Sequence, residues 1–282
     1  MAVRIYTDSA SDIVGEIDPL TRVVPLTVSF GDDEYRDGVD LSHERFYELL
    51  VESDELPKTS QATPYEFGKV FEEAVDAGDE VVMVTLSAEL SGTYQSAAAA
   101  AAAFGGKVFV VDSRTVCVAE RILVELGLRL AHEGLPANEV ARELSRRRDD
   151  VRVVALLDTL EYLRRGGRIS AAVSVLGEML SIKPVVGVED GVVKLLGKAR
   201  GSRSGNNFLN QEVAQSGGID FSMPYALGYT GLSDKLLRKY VEDSRSLWEH
   251  KVDELPIYTI GAAIGTHVGP NAIALAYFRK RG

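Results

Sequence analysis

Cysteine is almost missing from this chain of 282 residues: Cys117 stands alone. That excludes an internal disulfide and fits a reducing compartment, so a cytoplasmic setting is expected. Positive charge is short as well. Against 42 Asp and Glu stand 31 Lys and Arg, a formal net charge of −11, and such a balance does not suit a surface that grips nucleic-acid phosphates. Long apolar runs are lacking, since no stretch approaches the roughly 20 residues of a membrane span. No integral membrane segment is expected, and any membrane contact would be transient. The opening "MAVRIYTDSASD" reads as a strand entering a polar loop, without the apolar core of a secretory leader. HExxH, paired CxxC, EF-hand and GxSxG patterns do not occur, so neither a metal nor a cofactor is expected.

What is present is a globular composition, 45% hydrophobic, with length enough for a sizeable core and two domains. The first half alternates strand and helix. "VRIYTDS" and "RVVPLTVSF" read as strands, and "LSHERFYELL" as a helix capped by Ser42. "TPYEFGKVFEEAVDAG" carries Thr63 as N-cap, Pro64 at the first helical position and Glu66 to complete a capping box. A strand over 81–86, an alanine-rich helix, the strand "KVFVVDS" and a helix over about 116–133 follow. This rhythm predicts an α/β domain with a mostly parallel sheet flanked by helices. The pattern changes near Leu156, which divides the chain into an N-terminal α/β domain, 1–155, and a C-terminal α+β domain, 156–282. In the second, Asp190-Gly191 predicts a hairpin. A strand "YALGYTG", a helix "SDKLLRKYVEDSRSLW" and strands "IYTIGAAIG" and "AIALAYF" complete it.

Three polar stretches stand out. "EVVMVTLSAELSGTYQSAAAAAAAF" runs from a strand into Ser91-Gly92-Thr93 and then into helix. Capping alone explains those hydroxyls; so does an anion site made from hydroxyls and unpaired helix N–H groups. No Lys or Arg occurs between Thr85 and Ser96. Phosphates usually recruit a cation, so a carboxylate is the better-matched anion. "LPKTSQATPYEF" puts Thr59, Ser60 and Gln61 ahead of a second helix, and "AAIGTHVGPNAIAL" places Thr266 and His267 after an apolar strand. Two basic clusters interrupt the acidic balance, one with Arg164, Arg165 and Arg168, the other with Lys198, Arg200 and Arg203. A helix C-terminus accounts for Arg164; the remaining arginines are free to meet an acidic partner or a phosphate. "ISAAVSVLGEMLSIKPVV" is apolar nearly all round and suits the wall of an apolar slot.

Taken in order, "YTDSASDI", "TSQATP", "LSAELSGTYQSA", "VVDS", "LEYLRRGGRIS", "KPVVGVEDGVV" and "GTHVGPNAIAL" resemble the DegV family of bacterial fatty-acid-binding proteins over nearly the whole chain. The resemblance implies the two-domain DegV-like fold, with one long-chain fatty acid, such as palmitate or oleate, in a tunnel between the domains. It implies a non-catalytic lipid-binding subunit that presents the bound carboxylate to a separate ATP-dependent fatty acid kinase for acyl-phosphate formation. The family's carboxylate contacts fall here on Thr59, Ser60, Ser91, Thr93 and His267, beside Gly92 and Thr266. Its kinase-facing arginines fall on Arg168 and Arg200, with Arg165 adjacent. Ala62 stands where many relatives carry proline, Asn271 replaces a usual glycine, and "ARGSRSGN" is poor in lysine. Two other functions remain open from the residues: a Ser91/His267 acyl hydrolase or transferase, and a phosphosugar-binding module.

Overall fold

The computed structural model describes residues 1–53, 55–170 and 182–281. The first half of the chain holds β1 (Val3–Asp8), β2 (Thr21–Val24), β3 (Thr27–Phe30), β4 (Asp33–Arg36), α1 (His43–Glu52) and β5 (Lys58–Ser60). It continues with α2 (Pro64–Asp76), β6 (Glu80–Thr85), α3 (Thr93–Ala101), β7 (Val108–Asp112), α4 (Val118–His132) and α5 (Ala137–Arg147). The second half holds β8 (Val151–Leu156), α6 (Glu161–Arg165), β9 (Ile182–Glu189), β10 (Val192–Arg200) and α7 (Gly201–Gln215). After these come β11 (Tyr225–Tyr229), α8 (Lys235–Asp243), β12 (Ile257–Thr259), α9 (Ala262–Val268) and β13 (Ile273–Phe278).

Strands β2-β1-β6-β7 form the expected parallel sheet. Residues 81–84 of β6 are all fully buried, which is why that strand reads as a continuous apolar run: helices cover both of its faces. The stretch "RVVPLTVSF" is two strands in two sheets, not one. Pro25 has no N–H to give a ladder, and the chain leaves the parallel sheet there. It enters a small antiparallel sheet, β4-β3-β5, that carries Thr59 and Ser60 opposite Val28 and Thr27.

A six-stranded mixed sheet, β10-β9-β8-β13-β11-β12, makes up most of the second half. It takes up the chain at Val151, five residues ahead of the expected divide at 156. Asp190 and Gly191 both take positive φ, 51° and 81°, and close the predicted hairpin between β9 and β10. Helix α4 packs on β1 and β6 from one side and on β8, β11 and β13 from the other. Val118, Ile122, Leu123 and Val124 are wholly buried there, each contributing roughly 1.5–3 kcal/mol of apolar burial. One layer of helix therefore welds the two sheets together.

The expected strand through "IYTIGAAIG" stops at Thr259, and residues 262–268 are the helix α9. Its cause is not local. The N–H of Gly261 donates to Asp12 Oδ1 at 2.8 Å, and those of Ala262 and Ala263 donate to the Asp37 carboxylate at 3.2 and 3.1 Å. Those carboxylates satisfy orphan donors of a helix start from positions more than two hundred residues away in sequence.

Candidate functional site

Where β1, β6, β5, α3 and α9 meet, the structure holds a cavity of about 320 Å³. Its polar end is walled by Thr59, Ser60, Gln61, Ser91, Gly92 and His267, with Arg168 at the side. Helix α9 presents Ala263, Ile264, His267 and Val268 to it, residues one turn apart on a single face. Strand β5 brings Thr59 across from α9, and Thr59 Oγ1 lies 2.9 Å from His267 Nε2.

Ser91 Oγ lies 2.9 Å from Thr93 Oγ1 and accepts the Thr93 N–H at 3.3 Å. Gly92 is the N-cap residue of α3 and has no side chain to cap it, so the Ser91 hydroxyl just ahead of it takes the first N–H. A Cβ on Gly92 would fall 1.9 Å from Gln61 Oε1, so glycine is what allows the two loops to close on one another. Gln61 in turn donates to Ser96 Oγ at 2.7 Å. It lines the cavity and belongs to the polar stretch noted with Thr59 and Ser60, but is not among the expected ligand contacts.

Five of the seven expected ligand residues, Thr59, Ser60, Ser91, Gly92 and His267, line this cavity. Thr93 and Thr266 do not. Thr93 is wholly buried beneath Ser91. Thr266 sits one position before His267 and so turns away from the cavity, its hydroxyl donating back to Ala262 O at 2.9 Å. The three arginines stand in different surroundings. Arg165 is exposed and pairs with Glu161 at 2.5 Å, and Arg200 is exposed at the end of β10. Arg168 lies in the cavity wall, its Nε donating to Leu90 O at 3.2 Å and its Nη1 to Gly166 O at 2.6 Å.

Burial, with the nearby Arg168 charge, holds the His267 imidazole down to about 4, so the ring is neutral at physiological pH. Its Nδ1 is buried and has no hydrogen-bond partner among the described residues. A Cβ built on Gly166 would come within 2.2 Å of that nitrogen, so the backbone of Gly166 shuts it off. Ser91 and His267 are each bonded to another group, which leaves unmade the nucleophile–base bond that a hydrolase needs. Among the described residues no carboxylate orients the ring. Asp8 accepts from the Ala10 and Leu86 N–H groups, and Asp12 from Gly261. Burial pushes the Asp8 carboxyl up to about 7 against the pull of those N–H donors.

Inward from the polar end the walls turn apolar. Val116, Leu163, Val193, Ile264 and Val268 are shared with a second, smaller space of about 50 Å³. That space lies between the start of α4, at Cys117, and the face of β8, β9 and β13, lined by Val153, Ala155, Val186 and Ala274. Burial pushes the Cys117 thiol up, so the one cysteine is an inert wall group here. Residues 171–180, expected as slot wall, lie outside the described residues.

The family model described as "Uncharacterised protein, DegV family" matches residues 2–280. A DegV domain-containing protein of Caldanaerobacter subterraneus subsp. tengcongensis is 34% identical over 282 residues, covering 99% of each chain. Among solved structures, a DegV family protein from Thermus thermophilus, described by its fatty acid binding, superposes with a TM-score of 0.88 at 31% identity, over 99% of this chain and 100% of that one. A stearic acid-binding protein from Eubacterium ventriosum superposes with a TM-score of 0.83 at 27% identity, over 99% of both chains.

Proposed function

Because the chain belongs to the DegV family, we propose that it carries a long-chain fatty acid in this cavity, its carboxylate among the hydroxyls and its tail in the apolar slot. The observation that carries this reading is the adjacency of a hydroxyl-rich cavity and an apolar space, which share five wall residues. The similar protein from Thermus thermophilus is described by its fatty acid binding and the one from Eubacterium ventriosum as binding stearic acid, which supports it. Each buried methylene is worth about 0.8 kcal/mol, so a ~16-carbon chain contributes roughly 10 kcal/mol before the cost of ordering it. A phosphosugar has no use for such an interior.

The finer part of the proposal is that the protein is a carrier without chemistry of its own, and that a separate ATP-dependent kinase phosphorylates the bound carboxylate. Two features support it: Ser91 and His267 are not paired for nucleophilic attack, and Ser60 and Gln61 are exposed at the head end of the cavity. Arg165 and Arg200 would meet the kinase from the surface, with Arg168 at the opening. Organic extraction of the purified protein followed by mass spectrometry tests the carrier reading. About one equivalent of a long-chain fatty acid per chain is expected; a protein that yields none and binds neither palmitate nor oleate overturns it.

A further inference from the structure

The segment "DSASD" at residues 8–12 takes no part in the cavity's polar wall beyond Ala10, yet four of its residues are polar and all of them are buried. Their hydrogen bonds explain why. Asp8 Oδ2 accepts the Leu86 N–H at 2.9 Å, which fixes the end of β6 ahead of Ser91. Ser9 Oγ accepts the Leu26 N–H at 3.0 Å, which fixes the start of β3, the strand that pairs with β5 and so places Thr59 and Ser60. Asp12 Oδ1 accepts the Gly261 N–H at 2.8 Å and, with Asp37, fixes the start of α9 and so His267. Asp37 is bound to the same assembly, its own N–H donating to Leu26 O at 2.9 Å.

We propose that residues 8–12, with Asp37, are the positioning hub of the head cradle: one short turn aims all three elements that carry the polar wall. Asp12 is then a positioning residue that acts on His267 through α9, without touching the ligand. It has the right form for that role. Asp12 sits at φ 60°, a backbone that Asn and Gly tolerate. Its Oδ2 is buried without a hydrogen-bond partner among the described residues, so the contact that holds the start of α9 is made by one acceptor oxygen, Oδ1.

The test compares Asp12→Gly with Asp12→Asn. Glycine keeps the backbone unstrained and removes the acceptor, whereas asparagine retains an acceptor in nearly the same shape. The first readout is the titration of the His267 ring in lipid-free protein, followed by NMR. Asp12→Gly is expected to move it up from about 4 toward the ordinary 6.5, as the ring loses its fixed, buried place; Asp12→Asn should leave it where it is. The second readout, which rests on the fatty-acid reading, is oleate affinity: about tenfold weaker in Asp12→Gly and within about threefold in Asp12→Asn. A folded Asp12→Gly protein with unchanged titration overturns the hub, and so do equal effects of the two variants. Should Asp12→Gly fail to fold, Ser9→Ala takes its place. Freeing Leu26 should loosen β5 from His267 and move the same titration, and no movement overturns the proposal. A wild-type protein that binds no oleate sinks the carrier reading alone, because the titration is measured without lipid.

Discussion

At its outer end the cavity is walled by side chains that bond to one another, Thr59 to His267 and Ser91 to Thr93. At its inner end Val153, Val186 and Ala274 offer only methyl groups. The outer groups stand on three separate elements and need the turn at residues 8–12 to bring them together. The inner ones belong to neighbouring strands of one sheet, already in register through β8, β9 and β13. On the proposed function, long-range polar contacts would orient the ligand and a plain sheet face would supply the affinity. The two ends should fail differently when altered.

The largest effect should come from the inner end. Ala155→Phe fills the slot and displaces several methylenes at about 0.8 kcal/mol each, so palmitate should bind about a hundredfold more weakly while shorter acids gain. A chain-length profile measured by calorimetry checks this, and an unchanged profile would show that the tail lies elsewhere. At the outer end Thr59→Val removes one hydroxyl at constant shape. A loss of about 1.4 kcal/mol, or about tenfold, is expected at every chain length; a loss that varied with length would break the division of labour between the ends.

Arg168→Ala should cost only a few-fold in lipid affinity, because its guanidinium is engaged with the carbonyls of Leu90 and Gly166. Without that positive neighbour the His267 ring should titrate above about 4, which NMR would read. Turnover with a cognate kinase should fall. The smallest effect is in pH dependence. His267 titrates at about 4 in the fold against 6.5 unperturbed. Its share of stability is therefore complete above 6.5 and fades as the pH falls toward 4. Asp8 runs the other way: raised from 3.8 to about 7, it contributes fully below 3.8 and loses that share as the pH rises to about 7. Urea titrations of His267→Asn and wild type should show the stability gap closing on the acid side, and a gap that widened there would reverse the assignment.

How much of this could be read from residues alone follows the range of the interactions. The capping box of α2 and the Asp190-Gly191 turn depend on neighbours within four positions, and both were legible. The break at Pro25 was local too, but an apolar stretch on either side of it masked two strands as one. Helix α9 was not legible. "GAAIGTHV" has no capping residue of its own, and the carboxylates at its start come from Asp12 and Asp37. Thr266 and His267 are neighbours in sequence and both polar, but on α9 only His267 lines the cavity, while the Thr266 hydroxyl bonds back to Ala262 O. The hydroxyls of Thr59 and Ser91 pointed to the polar wall of the cavity through their residue types. The slot did not announce itself, since alanines and valines look the same whether they face a cavity or a packed core.

The close approach of Gly166 to the His267 ring decides where two hydrogens lie. An N–H at Nδ1 would be a buried donor with nothing among the described residues to receive it, a costlier defect than a bare lone pair. The single ring hydrogen therefore belongs on Nε2, and Thr59 Oγ1 receives it. The threonine must then turn its own hydrogen outward, into the open volume. A side chain missing after α6 thus sets the polarity of a hydroxyl on β5, and it leaves that hydroxyl with its hydrogen free to greet electron-rich atoms.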